Sequence, residues 1–172
     1  MPWEIERRFL VRVAAGVRHT LGEGRHLRQG YVRNGEPSVR IRVGEGRGAV
    51  LTCKSGSGIR RSEVETVVPD EMAVVLFEAA EDCVIEKIRW ELGGWTLDRF
   101  LGPLDGLELM EAELDSEDQP LPEAPHGVQV LREVTDDKRF VSGRLARLKP
   151  KEQRKLVKKA YKEVKGWTGL TD

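Results

Sequence analysis

Charged residues recur at every second position along one strand-like segment after another, and most segments are dominated by one sign. In an extended chain, residues two apart share a face. Glu4, Glu6 and Arg8 therefore share a face, with Ile5 and Phe9 on the other. Arg40 and Arg42 stand together, and Lys54 sits in the next segment. Arg61, Glu63 and Glu65 lie opposite Val64, and Lys87 and Arg89 lie opposite Ile88 and Trp90. Glu111 and Glu113 lie opposite Ala112 and Leu114. Any antiparallel sheet with one wet face alternates in this way. A wet face, however, normally mixes Ser, Thr, Asn and Gln among its charges. Here cation pairs and carboxylate pairs segregate by strand. Like charges on one face repel unless an opposite charge lies between them. Turned inward, such a face must satisfy each of its charges.

The spacing predicts strands over residues 3–12, 26–33, 38–43, 49–55, 59–68, 84–92, 95–101 and 106–115. Turns separate them at Asn34-Gly35-Glu36-Pro37, at GEGRG over 44–48, at Gly56-Ser57-Gly58 and at Gly93-Gly94. One helix interrupts the strands, with Asp70 as its expected N-cap and MAVVLFEAAE apolar at helical spacing. Residues 116–127, with three prolines, read as a loop, a short helix is expected near 140–148, and Lys151–Lys165 reads as a basic helix. The class is α+β, mainly β: an antiparallel sheet or closed barrel with peripheral helices.

Composition narrows the function. The 29 Lys and Arg balance the 29 Asp and Glu. A neutral chain argues against nucleic acid and against anionic membrane surfaces. No apolar run is long enough for a transmembrane helix, and MPWEIERRFLV is charged where a signal peptide needs an apolar stretch. Two cysteines, Cys53 and Cys83, make neither a disulfide framework nor a zinc site, so a reducing cytoplasm is expected. Cys53 is expected on the apolar face opposite Lys54. His19, His26 and His126 are scattered, and no Walker A loop is present.

Carboxylate pairs without His or Cys suit hard divalent cations such as Mg²⁺ or Mn²⁺. Arg and Lys clusters suit phosphate oxygens. A ligand that needs both is a polyphosphate carried with its metal.

The same residues, in order, resemble the CYTH superfamily, also called triphosphate tunnel metalloenzymes. Glu4-Ile5-Glu6-Arg7-Arg8 is similar to its E-x-E-x-K signature. Gln29-Gly30-Tyr31, Arg40-Ile41-Arg42, Thr52-Cys53-Lys54, Arg61-Ser62-Glu63-Val64-Glu65 and Lys87-Ile88-Arg89-Trp90 continue the similarity. Leu97-Asp98-Arg99, Glu111-Ala112-Glu113 and Glu133-Val134-Thr135 carry it to about residue 147. The resemblance implies a closed eight-stranded antiparallel barrel around a charged tunnel, over residues 1–148. The basic helix of 149–172 would pack on the barrel or near the tunnel mouth.

By the same resemblance, the tunnel binds a small-molecule triphosphate with Mg²⁺ or Mn²⁺ and hydrolyses it, with inorganic triphosphate the leading substrate. Arg40, Arg42, Lys54, Arg61, Lys87 and Arg89 would hold the substrate. Glu4, Glu6, Glu63, Glu65, Asp98, Glu111 and Glu113 would serve the metal site, Asp98 as a supporting acid. Arg8 and Tyr31 would be the catalytic pair. Arg8 replaces the family Lys, and an arginine cannot act as a general base. Adenylate cyclase, nucleoside or thiamine triphosphatase, and a non-catalytic triphosphate or polyphosphate binder are the alternatives. Monomer and homodimer are both compatible.

Overall fold

The strand register follows from the alternation, because a one-residue slip would exchange the charged and apolar faces. A computed structural model describes residues 3–44, 47–56 and 59–164. The strands are β1 (Trp3–Val13), β2 (Arg25–Arg33), β3 (Ser38–Gly44), β4 (Arg47–Ser55) and β5 (Arg60–Val68). Then follow β6 (Val84–Leu92), β7 (Trp95–Phe100), β8 (Glu108–Leu114) and β9 (Val128–Glu133). The helices are α1 (Asp70–Ala80), α2 (Ser142–Arg147) and α3 (Pro150–Val164).

The sheet runs β5-β4-β3-β2-β6-β7-β8-β1, and β5 returns to β1, so eight antiparallel strands close a barrel. At the closing seam, among the described residues, Trp3, Glu4 and Ile5 of β1 pair with β5 and the Glu6 N–H donates to the Ile59 carbonyl at 3.0 Å, whereas β4 pairs with β5 along Ala49–Ser55. The rest of that β1 edge, Phe9–Val13, pairs with β9. β9 corrects the sequence reading, which assigned no strand after the proline-rich loop.

Other boundaries shift slightly. The last barrel strand begins at Glu108 rather than 106. Pro69 occupies the N-cap of α1 and Asp70 makes no capping bond; Asp70 and Glu71 instead place negative charge in the first turn, where the helix dipole favours it. Residues 45–46 of the 44–48 turn, residues 57–58 of the next turn, and residues 165–172 lie outside the described residues.

One end of the barrel is floored with apolar side chains. Leu10, Ile85, Phe100 and Leu109 lie two residues beyond Arg8, Lys87, Asp98 and Glu111 on the same strand faces, and all are buried. They join Phe140, and Leu145 of α2, in one cluster. A second cluster on the outer face centres on Phe9, Val11, Trp95, Leu97 and Met110. α1 covers β2–β4, with Phe77 so close to Gly30 that a Cβ there would lie 2.9 Å from the ring. Its cover reaches Ala49 of β4 and Val68 of β5 but stops short of Cys53 and Val64 on those strands. Cys53 is exposed, and so is Val64 at 57%, so the expected burial of Cys53 on an apolar face does not occur.

α3 buries Gln153 and Ala160 and packs Leu156, Val157, Tyr161 and Val164 on the apolar floor cluster. The Tyr161 hydroxyl donates to the Val11 carbonyl and accepts from the Glu108 N–H, each at 3.0 Å. Burial pushes that phenol up to about 12. No residue of α3 lines the main cavity.

Candidate active site

The barrel interior is a cavity of about 1300 Å³. Fourteen of the fifteen residues singled out from the sequence line it: Glu4, Glu6, Arg8, Tyr31, Arg40, Arg42, Lys54, Arg61, Glu63, Glu65, Lys87, Arg89, Glu111 and Glu113. The strand alternation placed them, since each lies on the inward face of its strand.

Inside, charges meet in pairs. Arg8 bridges two carboxylates: its Nη2 donates to Glu6 at 2.5 Å and its Nε to Glu111 at 2.6 Å. Burial pulls its guanidinium down, but Glu111 and Glu6 outweigh burial and hold it charged. Arg61 donates to Glu6 at 2.9 Å, and Lys54 lies 2.8 Å from both Glu4 and Glu63. Arg40 donates to Glu65 at 3.1 Å and to the Thr52 hydroxyl at 3.0 Å, and Thr52 donates to Glu65 at 2.7 Å. Arg42 lies 3.6 Å from the same Glu65.

Asp98 is placed differently from the expectation. It does not line the cavity but lies fully buried beneath it. Lys87 donates to it at 2.5 Å, and Arg89 donates through Nε and Nη2, each at 2.6 Å. Both carboxylate oxygens are thereby committed, so its contacts are those of a counterion rather than a ligand. Burial pushes the Asp98 carboxyl up, but Lys87 and Arg89 bring it below the usual carboxylate value. Lys87 sits next to the apolar floor, with Nζ 5.7 Å from the Phe100 ring centre. Burial, then Arg89, lower its ammonium to about 8 despite Asp98. Arg89 also reaches Glu111 at 3.4 Å. Burial pushes Glu111 up, but Arg8, Arg89 and Lys87 hold it well below the carboxylate range.

Sequence reasoning missed one set of cavity cations. Lys138, Arg144 and Arg147 also line the cavity, from α2 and the turn before it. None has an ion pair among the described residues, unlike the interior cations. The cluster of basic residues over 138–147 was the available signal.

Comparison with known proteins decides the family. A protein of Acetivibrio thermocellus called inorganic triphosphatase is 33% identical over 94% of this chain and 97% of its own length. One of the same name from Nitrosomonas europaea is 34% identical over 83% of this chain and 96% of its own. The chain belongs to the CYTH family of triphosphatases. A crystal structure of an inorganic triphosphatase superposes with a TM-score of 0.57 at 33% identity, covering 87% of this chain and 98% of that one. No protein-family model matches the chain.

The carboxylates of this CYTH chain suit a divalent ion in their chemistry. The register sets Glu6 directly opposite Glu113 on β1 and β8. Glu113 has no hydrogen bond or ion pair among the described residues, and burial, then Glu4 and Glu6, raise its carboxyl. Burial, then Glu111, raise Glu6 despite Arg8 and Arg61. These two carboxyl groups are oxygen donors, the type that hard cations prefer. Among the described residues no three carboxylates stand in ligating arrangement. Lys54 holds Glu4, and Arg8 and Arg61 hold Glu6. Among the described residues no helix is long and apolar enough to cross a membrane.

Proposed function

We propose that this chain hydrolyses inorganic triphosphate to pyrophosphate and orthophosphate in the barrel cavity, with Mg²⁺ or Mn²⁺. The observation that carries the reading is the near-balanced lining. Ten cations and nine carboxylates face the cavity among the described residues. Such a lining cannot neutralise a triphosphate by itself. When phosphate oxygens capture Lys54, Arg61 and Arg8, the carboxylates those cations hold are released. Glu4, Glu6, Glu113 and Glu111 would then hold the divalent ion, which supplies charge neutralisation at the phosphates.

Arg40, Arg42, Lys54, Arg61, Lys87 and Arg89 hold the chain of phosphates, the arginines by paired N–H groups. Glu63 and Glu65 orient Lys54, Arg40 and Arg42. Tyr31 orients the attacking water through its hydroxyl, and Arg8 contacts a phosphate oxygen without acting as a base. The water oxygen bonds to the terminal phosphorus. The bridging P–O bond breaks, its electron pair leaves on pyrophosphate, and the water proton passes to solvent or a phosphate oxygen.

The test is phosphate release from inorganic triphosphate, ATP and thiamine triphosphate, with Mg²⁺, with Mn²⁺ and with a chelator. Triphosphate should be the best substrate and the chelator should stop release. Tight binding without release would favour a binding module, and cyclic nucleotide with pyrophosphate would favour a cyclase.

Two further results are expected. Lys87 is protonated below about pH 8 and loses its charge above it. Free-enzyme phosphate capture should weaken accordingly, so kcat/KM should fall as pH rises through that value; a flat profile from pH 7 to 9 would contradict it. Arg144→Ala with Arg147→Ala should raise KM about tenfold and leave kcat unchanged, with the effect shrinking as salt is added. An equal fall in kcat would instead place these arginines on the reacting phosphate.

A further inference from the structure

Gln29 of β2 is completely buried beneath the cavity and has no part in the roles above. Its Nε2 donates to the Tyr31 hydroxyl oxygen at 3.1 Å. Among the described residues its Oε1 has no hydrogen-bond partner, so the Tyr31 hydroxyl is the contact that fixes the amide there. The Tyr31 ring is fixed on another side by α2. A Cβ at Gly143 would lie 3.2 Å from ring atoms Cδ1 and Cε1 and would overlap the Asn34 side chain. The ring is therefore clamped, and what remains free is rotation of the phenolic O–H. An oxygen that accepts from Gln29 turns its own hydrogen away from Gln29.

We propose that Gln29 is a positioning residue: by donating to the Tyr31 oxygen, it directs the Tyr31 O–H into the cavity, toward a phosphate oxygen or the attacking water. The kinetic part of this inference rests on the triphosphatase reading; the hydrogen bond does not.

A double-mutant cycle on triphosphate hydrolysis tests it. Gln29→Met keeps the length and removes the donor; Gln29→Leu is the second variant should the first not fold. Gln29→Met should lower kcat about tenfold with KM nearly unchanged, the worth of one directed hydrogen bond. In a Tyr31→Phe background the same change should cost nothing more. An equal loss in both backgrounds would mean that Gln29 only packs, and would overturn the proposal. A second readout needs no turnover. The chain has two tyrosines, Tyr31 and Tyr161. With tyrosine labelled by ¹³C at Cζ, Gln29→Met should move the Tyr31 signal and leave that of Tyr161 in place. An unmoved Tyr31 signal overturns the proposal. A moved signal in a protein that releases no phosphate from any triphosphate would uphold the Gln29–Tyr31 bond and sink the triphosphatase reading instead.

Discussion

Asp98→Asn is expected to destabilise the fold by about 3–5 kcal/mol, the cost of leaving buried charge uncompensated. For a chain of 172 residues that is a drop of roughly 10 °C in Tm. Asp98 is the shared counterion of Lys87 and Arg89, fully buried and bonded to both. Asparagine keeps the shape and one acceptor but removes the charge. The acid dependence gives a second check. The folded-state carboxyl lies below its ordinary value of 3.8, so its contribution is present at neutral pH and is lost as pH falls through that lowered folded value. The variant should lack this part of the acid sensitivity. A Tm within a degree or two of the parent would mean that Asp98 is not a needed counterion.

Glu111→Gln should lower kcat for triphosphate by on the order of a hundred- to a thousandfold, the scale seen when one preorganised electrostatic group is removed. Glu111 is the junction of the site. It accepts from Arg8 at 2.6 Å and from Arg89 at 3.4 Å, and its register partner across β1 is Arg8 itself. Glutamine keeps the volume, and Arg8 keeps its bond to Glu6. The fold should therefore survive, with a lowered Tm, since the ion pairing that holds the Glu111 carboxyl low is lost. KM should hold or fall, because Arg8 and Arg89 are freed for phosphate. Unchanged kcat in a folded variant would show that Glu111 serves structure alone.

The eight barrel strands were legible because side-chain alternation and glycine turns are local signals. Alternation also fixed the face of each charged residue, which is why the predicted cations and carboxylates meet in one cavity. It did not fix depth. Asp98 and Glu111 both face inward, yet only Glu111 lines the cavity, because Asp98 sits between Lys87 and Arg89 next to the Phe100 layer. Depth depends on where the apolar floor falls across several strands, which no single strand encodes. Cys53 failed for a related reason: its face is outward as expected, but no described residue covers it there. β9 was lost because its short run follows three prolines and its partner, β1, is far off in sequence. Gln29 looked like one more polar residue in a strand, since an orphaned amide oxygen is a property of the packed state alone.

The barrel is a hoop fastened by a short clasp. Among the described residues, seven of its junctions are ladders of five or more residue pairs, and the eighth joins Trp3–Ile5 to Arg60–Ser62, with the Glu6 N–H reaching the Ile59 carbonyl at 3.0 Å. Glu4 and Arg61 stand directly across that junction. On the proposed reading, the residues that would trade their partners for metal and phosphate gather at the join between the first and fifth strands, whereas Lys87, Asp98 and Arg89 sit within a single pair of neighbouring strands, β6 and β7.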